Sequence, residues 1–189
     1  MPAPLEAGAA AGVLAPDGVP RAPVPRVLVV DDDEVDRKAV RRGLARAGVA
    51  AEVDEVAGAL EALAVLATTP YACVFLDYNI PGGDGLTLLK GIRNAGLDVP
   101  VVMLTGHGDE QVAVELMKAG AVDYVAKSAA TPERLAASLR YAVELARAAA
   151  ETRAMQEELR ASAERTQRLQ EVTARLAAVL PPEDVATLF

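Results

Sequence analysis

The chain has 189 residues, a formal net charge of -8 and 52% hydrophobic residues, yet only 3% are aromatic and none is tryptophan. That length holds one domain of ordinary size plus an extension, and an acidic chain with no Lys/Arg cluster argues against a nucleic-acid surface. No apolar stretch approaches the ~20 residues that span a bilayer and the N-terminus lacks a secretory pattern, so a cytoplasmic chain with no direct membrane contact is expected.

In chain order, residues 1–25 are rich in Ala, Pro and Gly, which bury little apolar surface and interrupt helices, so a disordered leader is expected. From Arg26 to about Ala130, apolar runs at 26–30, 51–56, 72–76, 100–104 and 122–125 alternate with helical patterns. These patterns lie near 34–47, 57–67, 85–95 and 109–119, with another from 132 onward. Such alternation predicts repeated strand and helix units in three layers. Gly48, Gly96 and Gly120 stand where helices need a left-handed closing residue, and Pro132 stands where one starts. VLVV, CVFL and VVML are apolar without alternation, as central parallel strands are, whereas AAEVDEVA is mixed and belongs at an edge. The one cysteine, Cys73, falls inside such a run and reads as a buried structural thiol.

The runs end on reactive side chains: Asp31 and Asp32, Asp77, Thr105 and Lys127. If the strands are parallel neighbours, these tips share the sheet edge where open α/β folds place their sites. Three carboxylates, a hydroxyl and an ammonium are the parts needed to bind a divalent cation and hold a phosphoryl group. Asp33 and Glu34 read instead as the cap and first turn of a helix.

In combination, VVDDD, FLDYNIPGGDG, MLTG and DYVAKS resemble the motifs of response-regulator receiver domains, the phospho-accepting half of two-component signalling, over about residues 26–148. The resemblance implies a flavodoxin-like, doubly wound, five-stranded parallel sheet of order 2-1-3-4-5, with the first and third strands at the switch point. It implies Asp77 as phosphoacceptor and Mg²⁺ (or Mn²⁺) held directly by Asp32, through water by Asp31, and by Asp77 and the Asn79 backbone carbonyl. Lys127 would pair with the phosphoryl group and Thr105 would hydrogen-bond to it, with Tyr124 changing rotamer as the second half of a switch. A histidine kinase or phosphotransfer protein would be the donor. Asn79 and His107 occupy positions that modulate the phosphoryl lifetime, and Ser128 replaces the family's usual proline, so proline chemistry no longer favours a cis bond there. Gly82 and Gly83 read as loop flexibility, since no P-loop pattern is present.

On this reading the chain is no enzyme beyond its own phosphorylation and dephosphorylation. Two alternatives stay open. A Mg²⁺-dependent phosphatase with an Asp nucleophile would usually carry a second acid two residues on, where Asn79 stands; a pseudo-receiver acting only as a binding module sits poorly with an intact acidic set.

The domain is expected to occupy 26–147. Beyond it, Leu145, Ala148, Thr152, Met155, Leu159, Ser162, Thr166, Leu169, Thr173, Leu176 and Leu180 recur at spacings of three and four. That is a coiled-coil seam over 148–180, predicting a parallel homodimer weakened by its Thr and Ser positions. Pro181 and Pro182 end the helix, and 181–189 reads as the start of a further segment. LQEVTARLAAVLPPEDVATLF resembles the helix leading into a GAF-type sensory domain, so an output domain of a longer protein is expected to follow, with a stand-alone receiver carrying a dimerising tail as the alternative.

Overall fold

The computed structural model describes residues 24–81, 83–106 and 110–179. Its strands fall on the apolar runs: β1 (Arg26–Val30), β2 (Glu52–Val56), β3 (Cys73–Asp77), β6 (Val101–Thr105) and β7 (Asp123–Ala126). Between β3 and β6 lies a short ladder that the sequence did not announce, β4 (Asn79–Ile80) against β5 (Gly83–Asp84). The helices are α1 (Glu34–Arg46), α2 (Ala59–Thr68), α3 (Gly85–Asn94), α4 (Glu110–Lys118) and α5 (Pro132–Val179). The expected leader lies outside the described residues up to 23, as do Gly82, His107 and 180–189.

The five long strands form one parallel sheet of order β2-β1-β3-β6-β7. Counting only those strands, this is the predicted 2-1-3-4-5 order. Alternate residues of each strand point to opposite faces, which gives two cores. Leu28, Val30, Val74, Leu76, Val101 and Met103 pack with buried residues of α2, α3 and α4. Val27, Val29, Phe75, Val102 and Leu104 pack with Val40 and Leu44 of α1 and with Leu135, Leu139 and Ala142 of α5.

β1, β3 and β6 are covered on both sides, which is why they are apolar without alternation. β2 is an edge strand, and its Asp54 takes Arg26 at 2.7 Å and the Tyr71 hydroxyl at 2.8 Å, so its acids need no burial. Gly48, Gly96 and Gly120 all have positive φ, at 72°, 72° and 98°, closing α1, α3 and α4 as expected. Cys73 is fully buried, and burial pushes its thiol pKa well up.

By internal contacts the chain divides into one unit through Val143 and a second from Glu144. Within the first, the opening turns of α5 are part of the core. Leu139→Ala should therefore cost about 2–5 kcal/mol in urea unfolding, whereas truncating Leu60, 86% exposed on α2, should stay within about 0.5 kcal/mol.

Candidate functional site

β1 runs straight into the site. Asp31 is still tied to the sheet, its N–H donating to the Val56 carbonyl at 3.2 Å, and it is fully buried. Its Oδ1 accepts the Asp33 N–H at 2.9 Å, and Asp33 Oδ1 accepts the Val35 N–H at 2.7 Å. Those two short loops turn the chain into α1, with Asp33 as the expected N-cap. Asp32 is left exposed between them.

Helix side chains lean toward the N-terminus, so the first turn of α1 reaches back over the strand end. Arg37 Nη1 donates to the carbonyls of Asp31 at 2.6 Å and Asp32 at 3.1 Å, and its Nε lies 3.6 Å from Glu55. The sequence reading missed this brace, and it missed Asp36 beside it. The available signal was position: a helix starting at Glu34 places residues 36 and 37 in the turn that overhangs the edge.

Asp77 ends β3 and is 3% exposed. The next residue continues the sheet, the Tyr78 N–H donating to the Leu104 carbonyl at 2.8 Å, and the Gly85 N–H then closes back on the Tyr78 carbonyl at 2.7 Å. A Cβ at Gly85 would lie 2.2 Å from the Asp77 carbonyl oxygen and 3.0 Å from Tyr78 Cα. Only glycine lets α3 start this close to Asp77, so GDG is a packing requirement at its second glycine. Gly83 lies in the short ladder, and Asp84 caps α3 by accepting the Thr87 N–H at 2.6 Å. Asn79 is exposed on β4, paired with Asp84.

Lys127 follows β7 in a 3-10 turn, Lys127–Ala129, and no described peptide bond is cis. Its Nζ donates to Asp31 Oδ2 and Asp36 Oδ2, both at 2.7 Å, and lies 3.1 Å from Asp77 Oδ1. That last contact lacks hydrogen-bond alignment, leaving Asp77 Oδ1 buried with no hydrogen-bond partner. Thr105, buried at the end of β6, stands beside Ala126 in the β6–β7 register, and exposed Tyr124 stands opposite Met103.

The charges do not balance. Burial raises the Asp77 carboxyl pKa above its usual range; Lys127 opposes this and the nearby Asp31 charge adds to it. Burial alone would lower the Lys127 pKa, but the carboxylates of Asp31, Asp36 and Asp77 outweigh it and the ammonium is held more tightly than usual. One carboxylate oxygen each from Asp31, Asp32 and Asp77 lie within 4.8 Å of one another. All-oxygen ligands, an excess of negative charge and one orphaned buried oxygen fit a hard divalent cation such as Mg²⁺.

A carboxyl whose folded pKa is raised costs stability once ionised, and that cost disappears as pH falls through the raised value to the unfolded one, about 3.9. Without divalent cation, Asp77→Asn should therefore unfold at higher urea than wild type at pH 7, and the gap should close on acidification; an Asn variant less stable at pH 7 would contradict the charge imbalance. Gly85→Ala forces backbone apart and should cost about 1–3 kcal/mol in the same assay.

A profile of the response regulator receiver domain matches residues 27–140. The C4-dicarboxylate transport transcriptional regulatory protein DctD of Rhizobium meliloti (strain 1021) is 40% identical over 131 residues, covering 69% of this chain but 28% of that protein. The transcriptional regulatory protein FixJ of Bradyrhizobium diazoefficiens is 34% identical over 158 residues, covering 83% of this chain and 69% of FixJ. Among solved structures, a putative response regulator from Chloroflexus aurantiacus aligns with a TM-score of 0.59 and 31% identity over 64% of this chain and 98% of that one. The strand order, the acidic edge and these matches agree: the chain belongs to the two-component response regulators, and residues 27–140 are its receiver domain.

Proposed function

We propose that this receiver accepts a phosphoryl group on Asp77 from a histidine kinase or phosphotransfer protein in the cytoplasm, and passes the change through Thr105 and Tyr124 to a dimeric C-terminal helix. One observation carries the reading: a lysine from the end of β7 reaches two buried carboxylates, from the ends of β1 and β3, at 2.7 and 3.1 Å. A structural ion pair needs one acid; a site with two, plus Asp32 beside them, is built to receive more positive charge.

Asp31, Asp32 and Asp77 would hold Mg²⁺, with the Asn79 carbonyl as a further ligand, and the ion would neutralise charge between the attacking carboxylate and the phosphoryl oxygens. Asp77 Oδ1, unspent on hydrogen bonds, is free to attack phosphorus as the donor nitrogen leaves. Lys127 pairs with one phosphoryl oxygen and the Thr105 hydroxyl donates to another, which is positioning and electrostatics rather than covalent help. Movement of Thr105 toward the phosphoryl group opens space near β7, and the exposed Tyr124 ring turns inward to fill it. His107 and Asn79 shape water access to the product. A phosphatase reading is weaker, because Asn79 supplies no second acid.

In the second unit, Met155, Leu159 and Leu169 are all exposed at seam positions of α5. The seam threonines are less polar than the sequence suggests. Thr152, Thr166 and Thr173 each donate their hydroxyl to the carbonyl four residues back, of Ala148, Ser162 and Leu169, at 2.8, 3.1 and 2.9 Å. With the hydroxyl satisfied, a threonine leaves its methyl for the partner helix. That is compatible with the proposed parallel homodimer.

Incubation with Mg²⁺ and acetyl phosphate should add one phosphoryl group at Asp77 by mass spectrometry and none in Asp77→Asn; an unmodified wild type would sink the acceptor role. Truncation after Arg147 should convert the dimer to monomer in sedimentation, and an unchanged mass would remove the helix from the interface.

A further inference from the structure

An ammonium has three N–H donors. Those of Lys127 make two hydrogen bonds in this structure, and neither goes to Asp77: they go to Asp31 and Asp36, while Asp77 keeps an unaligned contact 3.1 Å away. Asp36 is not one of the three clustered acids that fit a cation. It sits in the first turn of α1 and reaches the site from the solvent side, its side chain 39% exposed against 1% for Asp31.

The two competitors for the lysine therefore differ. Asp31 shares a cation site, so divalent metal would offset its charge. Asp36 is outside that cation site, so a bound metal would leave its charge on Lys127 less offset. A group added to Asp77 would share Lys127 with Asp36 and would approach a region carrying one extra negative charge.

We propose that Asp36 is a latch on Lys127: a positioning residue that competes with the phosphoryl group for the lysine and so weakens phosphoryl binding at Asp77. The inference rests on Asp77 being the acceptor. Because Asp36 is partly solvated, the pair is of the modest surface kind and the effect is tuning, not blockade. Its direction is specific, since an ordinary supporting residue would weaken the site when removed.

The test is a titration of the full chain with beryllofluoride, a phosphoryl mimic, at saturating Mg²⁺, followed by chemical shifts of the Thr105 and Lys127 amides. Asp36→Asn should half-saturate at roughly two- to fivefold lower beryllofluoride than wild type. Asp36→Glu, which keeps the charge and can still reach, should restore the wild-type value. The gap between wild type and Asp36→Asn should narrow in high salt, where exposed ion pairs are screened. In metal-free protein, the Lys127 ammonium protons should exchange with water faster in Asp36→Asn, a readout independent of phosphoryl binding. Equal or weaker beryllofluoride binding by Asp36→Asn would overturn the latch while leaving the acceptor intact. No binding by wild type would overturn the acceptor, and the latch with it.

Discussion

The contact between Lys127 and the ends of β1 and β3 organises the site. Asp31 and Asp77 are almost fully buried and close enough for Asp31 to oppose ionisation of Asp77. Two buried acids without a counter-charge would be costly. The lysine makes the arrangement tolerable without satisfying it, since Asp77 Oδ1 still has no hydrogen bond. This residual imbalance is what the proposed cation would offset and what the proposed acceptor role of Asp77 would draw on.

The rest of the fold serves that contact. The central strands can be wholly apolar because helices cover both faces, and a double-sided core holds three strand ends in fixed register. Around the edge, small devices fix the acids: the Asx turn at Asp31, the Asp33 cap, the Arg37 brace on two carbonyls, and the close approach allowed by Gly85. Each positions the backbone that carries the acids, and Asp31 is also held through its own carboxylate.

Much of this was legible in the sequence. Uninterrupted VLVV, CVFL and VVML state that strands are buried on both faces, and the acids, threonine and lysine that end them state where the edge lies. Mixed AAEVDEVA marked an edge strand because its acids had to reach solvent or Arg26. What stayed hidden depends on neighbours distant in sequence. Asp36 looks like any acid of a helix's first turn until Lys127, 91 positions later, is placed against it. Gly85 looks like a loop glycine until Asp77's carbonyl is found where a Cβ would go. The seam threonines looked polar because a sequence does not show a hydroxyl folded back onto its own helix.

If unrelieved negative charge at this edge is what the site is built on, Lys127 and a divalent cation compete for the same carboxylates. The direct measurement is the Mg²⁺ dissociation constant of wild type and Lys127→Ala, by chemical-shift titration of the residues after β1 and β3. Mg²⁺ should bind severalfold more tightly to the variant, because the competing cation is gone. Equal or weaker binding would contradict it.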